Sequence, residues 1–410
     1  MQQLSVNHSF LCGYFSAGAG GEKQLPSGWI PEECSEESFA SYKQYFDPGF
    51  AEFMLSAGNS AKVRRYSMEI GRTVNVAGVN VSIRRLKLFM MPFGIRIYAI
   101  QADMESESLN DFTLALFRMR EQRYWADPAM KDFADAAVEP LRAVASALGC
   151  DSCDLVENGN KLKVFQIVTS EAPIAFGRND LNTLFELGTL GKIGGCSEKS
   201  PDSPSESYVE RILSTNRLSF YNNWQALALF DTFTMWGYNL KPWMLQAWQD
   251  DYFSLIYIHS LFCKFYLYRL NERFHLNPGE GEELEQEYKE FDRQCTFHRI
   301  SFNFLPIEID RAIDRALEIS EEKKQLRYYI SEYSKQIADE SASRLNKLLT
   351  FLTVVTVLST VWDFSCMVNA VMPYRSVVGT EQSGYRLVVS LSILALLIVI
   401  LATLRRPRRR

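Results

Sequence analysis

Enzyme signatures and secretion signals are missing from this sequence. No GxSxG, Walker or HExxH pattern occurs, and the four histidines, at positions 8, 259, 275 and 298, lack the spacing of metal ligands. The first twenty residues contain no basic segment followed by a long apolar run, so no cleavable signal peptide is expected. The sequence therefore predicts a protein that is neither an enzyme nor secreted.

A disulfide framework and an excess of basic charge are also missing. The eight cysteines are scattered over 410 residues, as free thiols in a reducing compartment are. Cys150 and Cys153 form a lone CxxC pair without a second pair or a nearby histidine, so we expect no zinc. The formal net charge of -5 argues against direct binding of nucleic acid, and we expect the large N-terminal part to be cytoplasmic.

Two long apolar runs stand out near the C-terminus of an otherwise polar chain. Residues 348–371 contain one charge, Asp363, and residues 387–404 contain none. At about 1.5 Å per residue, each run spans or nearly spans the roughly 30 Å of bilayer hydrocarbon. The sequence therefore predicts a transmembrane helix at 348–371, a short extracytoplasmic loop at 372–386 and a second transmembrane helix at 387–404.

Basic residues give this predicted hairpin an orientation. The tail at 405–410 is RRPRRR, and Arg344 and Lys347 precede the first run. Because cytoplasmic loops are enriched in lysine and arginine, both termini should lie in the cytoplasm. We expect a multi-pass protein of the inner (plasma) membrane that contacts the lipid bilayer.

The remaining chain divides into three regions by pattern. Residues 1–60 hold turn motifs and no strong period, so we expect an N-terminal extension of loops and short helices. Residues 61–240 predict an α/β domain, in which Ser82–Met104 is a strand, a turn at 92–94 and a second strand.

Residues 241–347 predict a helical stalk region. From Ile307 to the membrane no glycine or proline interrupts the helical pattern, which predicts one helix of about 60 residues, on the order of 90 Å long. Such a length does not fit inside one compact domain. It therefore predicts a bundle formed by copies of the chain, a homo-oligomer.

This architecture resembles the CorA family of divalent-cation channels. The segment Arg344–Val355, RLNKLLTFLTVV, is similar to the family's junction of stalk and membrane, and Met372-Pro373 and Gly384-Tyr385 are similar to its loop between the spans. The resemblance covers roughly the last hundred residues. It implies a CorA-like fold, a homopentamer, a central pore lined by the first span, and a divalent cation such as Mg²⁺ as the ion that is bound.

One departure from the family weakens part of this implication. The family carries Gly-Met-Asn at the outer end of the first span, whereas the corresponding positions here hold Ala370, Val371 and Met372. Magnesium selectivity is therefore not implied. Similar departures occur in CorA-like proteins encoded beside type III CRISPR loci, which implies an alternative: an antiviral membrane effector activated by a nucleotide second messenger.

A polar face follows the first predicted span at steps of three and four residues, as one face of a helix requires. Its members, with Asn369 near the mouth, are the candidate pore-lining residues Asn346, Leu349, Thr353, Thr356, Thr360, Asp363 and Asn369. A carboxylate inside a span normally faces a cavity or a partner, so copies of Asp363 would form an acidic, metal-attracting ring. The alternatives are that Asp363 lies among the outer headgroups and that the hydroxyls bond to their own backbone.

Candidate ligand-binding residues also occur in the α/β domain. Arg64, Arg65, Arg84 and Arg85 suit an anionic ligand such as a nucleotide, because guanidinium groups hold phosphate bidentately. Adjacent residues of a strand point to opposite faces, so only one arginine of each pair would serve a site. Trp224 and Asp231 are candidates for stacking on and anchoring such a ligand; solvated surface and core packing are the alternatives.

Overall fold

The computed structural model describes residues 4–16, 25–56, 62–150, 155, 161–198, 201–276 and 281–371, apart from the side chains of 364–366 and 368–371. The chain divides into two units, Met1–Tyr328 and Tyr329–Arg410. The first unit is a mixed α/β domain, and the second contains most of one long helix.

One mixed sheet frames the first unit. In the described residues its order is β2-β3-β4-β5-β1-β6-β9-β8-β7, and the β6–β9 pair is parallel while the other neighbours are antiparallel. The strands are β1 (Ser5–Ser16), β2 (Ile30–Pro31), β3 (Arg64–Val76), β4 (Val79–Met90), β5 (Ile95–Ser106), β6 (Lys163–Ser170), β7 (Arg217–Tyr221), β8 (Trp224–Ala228) and β9 (Thr232–Tyr238).

Helices lie between and after the strands. They are α1 (Glu36–Tyr45), α2 (Pro48–Leu55), α3 (Leu109–Arg120), α4 (Lys131–Phe133), α5 (Glu139–Ala147), α6 (Arg178–Thr189), α7 (Glu206–Asn216), α8 (Pro242–Gln246), α9 (Ile258–Leu276), α10 (Gly281–Cys295), α11 (Phe304–Leu317) and α12 (Ile319–Val371). A π-helical stretch, Ala247–Tyr257, joins α8 to α9.

The strand–turn–strand prediction for Ser82–Met104 is confirmed by β4 and β5. Phe93 and Gly94 both have positive φ, 56° and 77°, and the Met91 N–H donates to the Ile95 carbonyl at 2.9 Å. Glycine tolerates this left-handed backbone without steric cost, whereas Phe93 carries a local strain. The reversal therefore depends on the residues that follow Pro92.

The prediction of loops and short helices for residues 1–60 is wrong at β1, which is a central strand between β5 and β6. Polar residues conceal it, because a strand with both faces buried has no alternation of apolar and polar positions. Asn7 and Ser9 are buried, and the Asn7 amide donates to the Gln166 side chain at 2.9 Å. The short helices α1 and α2 agree with the prediction.

Helices cover both faces of the sheet. On one face, Leu11 of β1 and Leu86 of β4 belong to a buried cluster with Phe112 of α3 and Leu184 of α6. On the other face, aromatic side chains stack in pairs, with ring centroids 3.8 Å apart for Phe10–Phe253 and 3.9 Å for Tyr14–Phe265. Because the helices after Pro242 pack on the sheet in this way, the first unit extends to Tyr328, past the boundary at residue 240 that the sequence suggested.

The prediction of one helix from Ile307 into the membrane is wrong, because the chain breaks at Glu318. Glu318 has φ 58° and ψ 31°, and its N–H donates to carbonyls at the end of α11. Leu317 and Ile319 are 1% and 5% exposed. Residues two apart on one helix point to nearly opposite sides, so the burial of both shows that the break lies inside the packed first unit and not at its surface.

The helix α12 contains 53 residues and is, within the described chain, the one helix long and apolar enough to cross a bilayer. Its apolar window has a mean hydropathy of 1.5, and none of that window is buried. Helix α12 includes the first predicted span at 348–371. The predicted loop at 372–386, second span at 387–404 and tail at 405–410 lie outside the described residues.

Candidate functional site

The predicted polar face lies on one uninterrupted helix. Asn346, Leu349, Thr353, Thr356, Thr360 and Asp363 all belong to α12, and their side chains are exposed. Asn369 is helical in its backbone, and its side chain is outside the described ones. The helical spacing on which the prediction depends is therefore present.

Threonine hydroxyls along α12 bond to its backbone. Those of Thr353, Thr356 and Thr360 donate to the carbonyls four residues earlier, at 2.8, 2.9 and 2.8 Å. Each hydroxyl has one proton and two lone pairs, so this bond uses the donor and leaves the acceptor outward. The polar face thus presents hydroxyl oxygens as acceptors, and Asp363 adds the only charge between residues 348 and 363.

The base of α12 is fixed to the rest of the first unit by partly buried polar contacts. Glu322 accepts a bond from the Lys264 ammonium at 2.8 Å and another from the Asn271 amide at 2.6 Å. Arg327 donates to the Tyr288 hydroxyl at 2.9 Å, and Leu326 is completely buried. A displacement of α9 or α10 would therefore displace the first turns of α12 as well.

Arg84 and Arg85 occupy a β-bulge, where the register with β5 shifts between Ile83 and Arg85. Ile83 and Leu86 both belong to the core on one face, so the two arginines between them lie toward the other face, unlike adjacent residues of a regular strand. Neither arginine is unpaired: Arg84 contacts Asp103 at 2.7 Å and Arg85 contacts Glu69 at 3.2 Å.

Asp103 links Arg84 of β4 to His8 of β1. Besides its contact with Arg84, its carboxylate lies 2.9 Å from His8 Nδ1. Burial by itself raises the pKa of Asp103, but the hydrogen bonds and charges of His8 and Arg84 hold that pKa below its ordinary value. The carboxylate therefore stays charged and holds Arg84 against β5.

Arg64 and Arg65 line a small cavity of about 130 Å³ with Glu32 and Glu33. Arg64 is exposed and Arg65 is half-buried. The structure does not gather the four predicted arginines in one cavity among the described residues, because Arg84 and Arg85 lie several residues away along β4.

Lys87, which is not among the candidates that the sequence predicts, is a buried cation near Arg65 and Arg85. It is 6% exposed, and its ammonium lies 3.4 Å from the Ser254 hydroxyl. Burial lowers the pKa of Lys87, and the carboxylates of Glu32 and Asp250 partly oppose that shift. Its position two residues after Arg85, on the same face of a strand, was the available signal.

Trp224 and Asp231 have separate partners and do not form a common ligand site. Trp224 is 1% exposed, and its ring packs edge-on against Trp248 with centroids 5.2 Å apart. Asp231 forms an ion pair with Lys163 at 2.7 Å, and this lysine holds the pKa of Asp231 below its ordinary value although burial alone would raise it. Trp224 thus stabilises the core, and Asp231 anchors the start of β6.

Metal-ligating side chains are not clustered in the part of the chain that the structure describes, where no group of three or more His, Cys, Asp or Glu residues has the geometry to hold a metal ion. Comparison of the chain with protein-family models, with curated proteins and with solved structures finds no match. The function is therefore inferred from the geometry of α12 and its base.

Proposed function

We propose that this protein is a homo-oligomeric membrane channel of the CorA-like kind, which conducts cations and is gated by its α/β domain. One observation carries the proposal. A single helix, α12, is fixed to the folded domain at its base and continues without a break through an apolar segment whose polar face carries hydroxyl oxygens and one carboxylate.

An oligomer follows from the exposure of α12. One helix does not enclose a water-filled path, and a polar face in lipid is stabilised when copies of the helix turn that face toward one another. In such an oligomer, the second predicted span of each copy, at 387–404, would lie outside the ring of α12 helices and cover their apolar faces. A pentamer is what the family resemblance implies.

Cation preference follows from the chemistry of the polar face. Hydroxyl and carboxylate oxygens replace part of the water around a cation, and they repel anions. A ring of Asp363 carboxylates attracts a monovalent cation by about 1 kcal/mol per carboxylate in water-like surroundings, and more strongly where water is excluded. Because the Gly-Met-Asn positions hold other residues, we propose no selectivity for magnesium.

Ion flux into liposomes tests the proposal. Purified full-length protein is reconstituted with a fluorescent reporter inside, and potassium and chloride gradients are applied in turn. We expect cation flux that exceeds anion flux, and we expect Asp363→Asn to lower this ratio by about tenfold or more, since about 1.4 kcal/mol corresponds to a factor of ten. Thr356→Val should lower the cation flux as well.

Leu358 provides the control, because it lies on the opposite side of α12 from the polar face and is also exposed. Leu358→Val changes the side chain there and should leave flux unchanged. Protein that inserts as an oligomer and passes no ions would contradict the channel, and equal effects of Thr356→Val and Leu358→Val would contradict the assignment of the pore face.

A second candidate function is a membrane effector of an antiviral (type III CRISPR-associated) system that a nucleotide messenger activates. The observation that favours it is the buried ammonium of Lys87, on which the charges of Arg65 and Arg85 act, because an anionic ligand would offset this concentration of positive charge. Thermal unfolding in the presence of cyclic and linear adenine nucleotides tests it. Stabilisation that Lys87→Met abolishes would support an effector, and its absence for every nucleotide would favour a channel without such a ligand.

A further inference from the structure

The turn between β8 and β9 presents an aromatic ring that core packing does not explain. The Leu229 N–H donates to the Thr232 carbonyl at 2.7 Å, so Phe230 and Asp231 form the two-residue tip of a hairpin. Phe230 is 47% exposed, whereas Phe233, in the strand that follows, is 1% exposed. The ring of Phe230 therefore lies at the margin of the fold, where its contacts are with polar groups.

Lys163 holds this turn against the start of β6. Its ammonium donates to the Phe230 carbonyl at 2.9 Å and to the Asp231 carboxylate at 2.7 Å, and it lies 3.7 Å from the centre of the Phe230 ring. The Val164 N–H also donates to the Asp231 carbonyl, at 2.9 Å. The ring is therefore carried by a turn that is fixed to the sheet through both backbone and side-chain bonds.

The same ring contacts a second lysine, which belongs to α9. The ammonium of Lys264 lies 5.1 Å from the centre of the Phe230 ring and 2.8 Å from the Glu322 carboxylate at the base of α12. A cation within about 6 Å of the centre of an aromatic ring is attracted by the negative face of that ring. Phe230 thus lies between Lys163, which fixes the turn, and Lys264, which fixes α12.

The Lys264 ammonium has few partners besides this ring. Lys264 is 6% exposed, and among the described residues its one hydrogen-bond partner is Glu322. An ammonium has three N–H donors, and its burial is costly unless other groups stabilise the charge. The Phe230 ring is such a group, because a cation–π contact is stronger where water is excluded. The direction in which Lys264 reaches Glu322 is therefore set from two sides, by the carboxylate and by the ring.

We propose that Phe230 is a positioning residue for α12: its ring holds Lys264 in place and thereby makes the bond to Glu322 depend on the position of the turn between β8 and β9. A displacement of the turn carries the ring away from Lys264 and weakens that bond. This coupling is a property of the first unit and does not depend on ion conduction. Its role in gating rests on the proposed channel function, in which it would connect the sheet to the pore-lining helix.

The size of the coupling follows from the contact that a substitution removes. Phe230→Leu keeps an apolar side chain and takes away the aromatic face, while the backbone bonds of the turn and the pair of Lys163 with Asp231 remain. The loss of one cation–π contact changes an equilibrium by about two- to fivefold. We therefore expect the base of α12 to open about two- to fivefold more often, with the turn itself intact.

Hydrogen–deuterium exchange of the full-length protein in detergent measures this opening. In peptides that cover residues 319–328, Phe230→Leu should lower protection about two- to fivefold, and Phe230→Tyr, which keeps an aromatic ring, should retain the protection of the wild type. Tyr208→Leu is the matched control, because Tyr208 is 45% exposed and its ring contacts the Arg211 guanidinium at 5.3 Å on α7. It should leave the protection of residues 319–328 unchanged.

A double-mutant cycle separates positioning through Lys264 from a general loss of stability. In a background of Lys264→Met with Glu322→Leu the ammonium is gone, so Phe230→Leu should no longer change the protection of residues 319–328. An equal loss of protection in both backgrounds, unchanged protection in Phe230→Leu alone, or a loss in Phe230→Tyr as large as in Phe230→Leu would overturn the proposal. Because exchange is measured and not flux, a protein that passes no ions would contradict the channel and leave the coupling in place.

Discussion

The contact between Glu322 and α9 allows a quantitative prediction about the base of α12. Both oxygens of the carboxylate are used, one by the Lys264 ammonium and one by the Asn271 amide. Lys264 is 6% exposed, whereas the Glu322 side chain is 18% exposed. Glu322→Ala removes both acceptors and leaves a cation buried without its carboxylate.

The expected cost comes mainly from the stranded lysine. Breaking a buried ion pair by removing one partner costs about 3–5 kcal/mol, and the lost bond from Asn271 adds about 1 kcal/mol. Because water reaches Glu322 in part, we expect the lower end, about 3 kcal/mol, in the free energy of unfolding of the first unit. The first unit spans Met1–Tyr328 and has an entropy of unfolding of about 0.7 kcal/mol per K, so that is a fall in Tm of roughly 4–5 °C.

Denaturant unfolding in detergent, followed by tryptophan fluorescence, measures this cost. Lys264→Met combined with Glu322→Leu replaces the pair by apolar side chains and should lie within about 1 kcal/mol of the wild type. Glu321→Gln breaks an exposed pair with Lys324 and should cost about 0.5 kcal/mol or less. A cost below about 1 kcal/mol for Glu322→Ala, or an equal cost for the double variant, would refute the reasoning.

Three other predictions concern the first unit. Gly13→Ala places a Cβ against the ring of Tyr98, whose hydroxyl donates to the Leu155 carbonyl, and should cost about 2–4 kcal/mol in thermal unfolding. Gly177→Ala, in open space at the N-cap of α6, is the control and should cost about 1 kcal/mol or less. The N–H groups of Gly194 and Cys196 donate hydrogen bonds to the Glu186 carboxylate at 2.8 and 2.7 Å. Glu186→Gln should therefore lower the free energy of unfolding by about 1–3 kcal/mol and increase hydrogen exchange at these two N–H groups. Glu198→Gln, at an exposed carboxylate, is the control. Burial raises the pKa of Asp251 to about 6, so its contribution to stability falls as the pH rises from about 4 to 6; Asp251→Asn should remove that slope and leave the Tyr42 bond in place. Unfolding titrations at several pH values that show the same slope in this variant would contradict the assignment.

A large part of the fold could be predicted from local patterns in the sequence. The runs at β4, β5 and β6 are rich in branched and aromatic residues, and α12 contains no glycine or proline in its 53 residues. In contrast, β1 was not recognisable, because it contains the buried polar residues Asn7 and Ser9. The amide of Asn7 donates to Gln166, a partner that lies 159 residues away in the chain. A strand that is buried on both faces gives no alternating signal.

The candidate sites divide in the same way. The polar face of α12 depends only on steps of three and four residues, which a continuous helix converts into a shared face. Lys87 and the bulge at Arg84 depend on the pairing of β4 with its neighbours, which is a long-range property. The break at Glu318 has no glycine or proline to announce it, and its left-handed backbone lies between two buried residues, Leu317 and Ile319.

The sequence by itself determined the elements of this protein whose physics is local: a helix long and apolar enough for a bilayer, the acceptor face along it, and the strand–turn–strand of β4 and β5. Only the tertiary structure decided where α12 begins and that Glu322 pairs with Lys264. These last features depend on burial and on partners distant in the chain. Desolvation and charge pairing are set by the packed environment, and that environment is not encoded in the spacing of neighbouring residues.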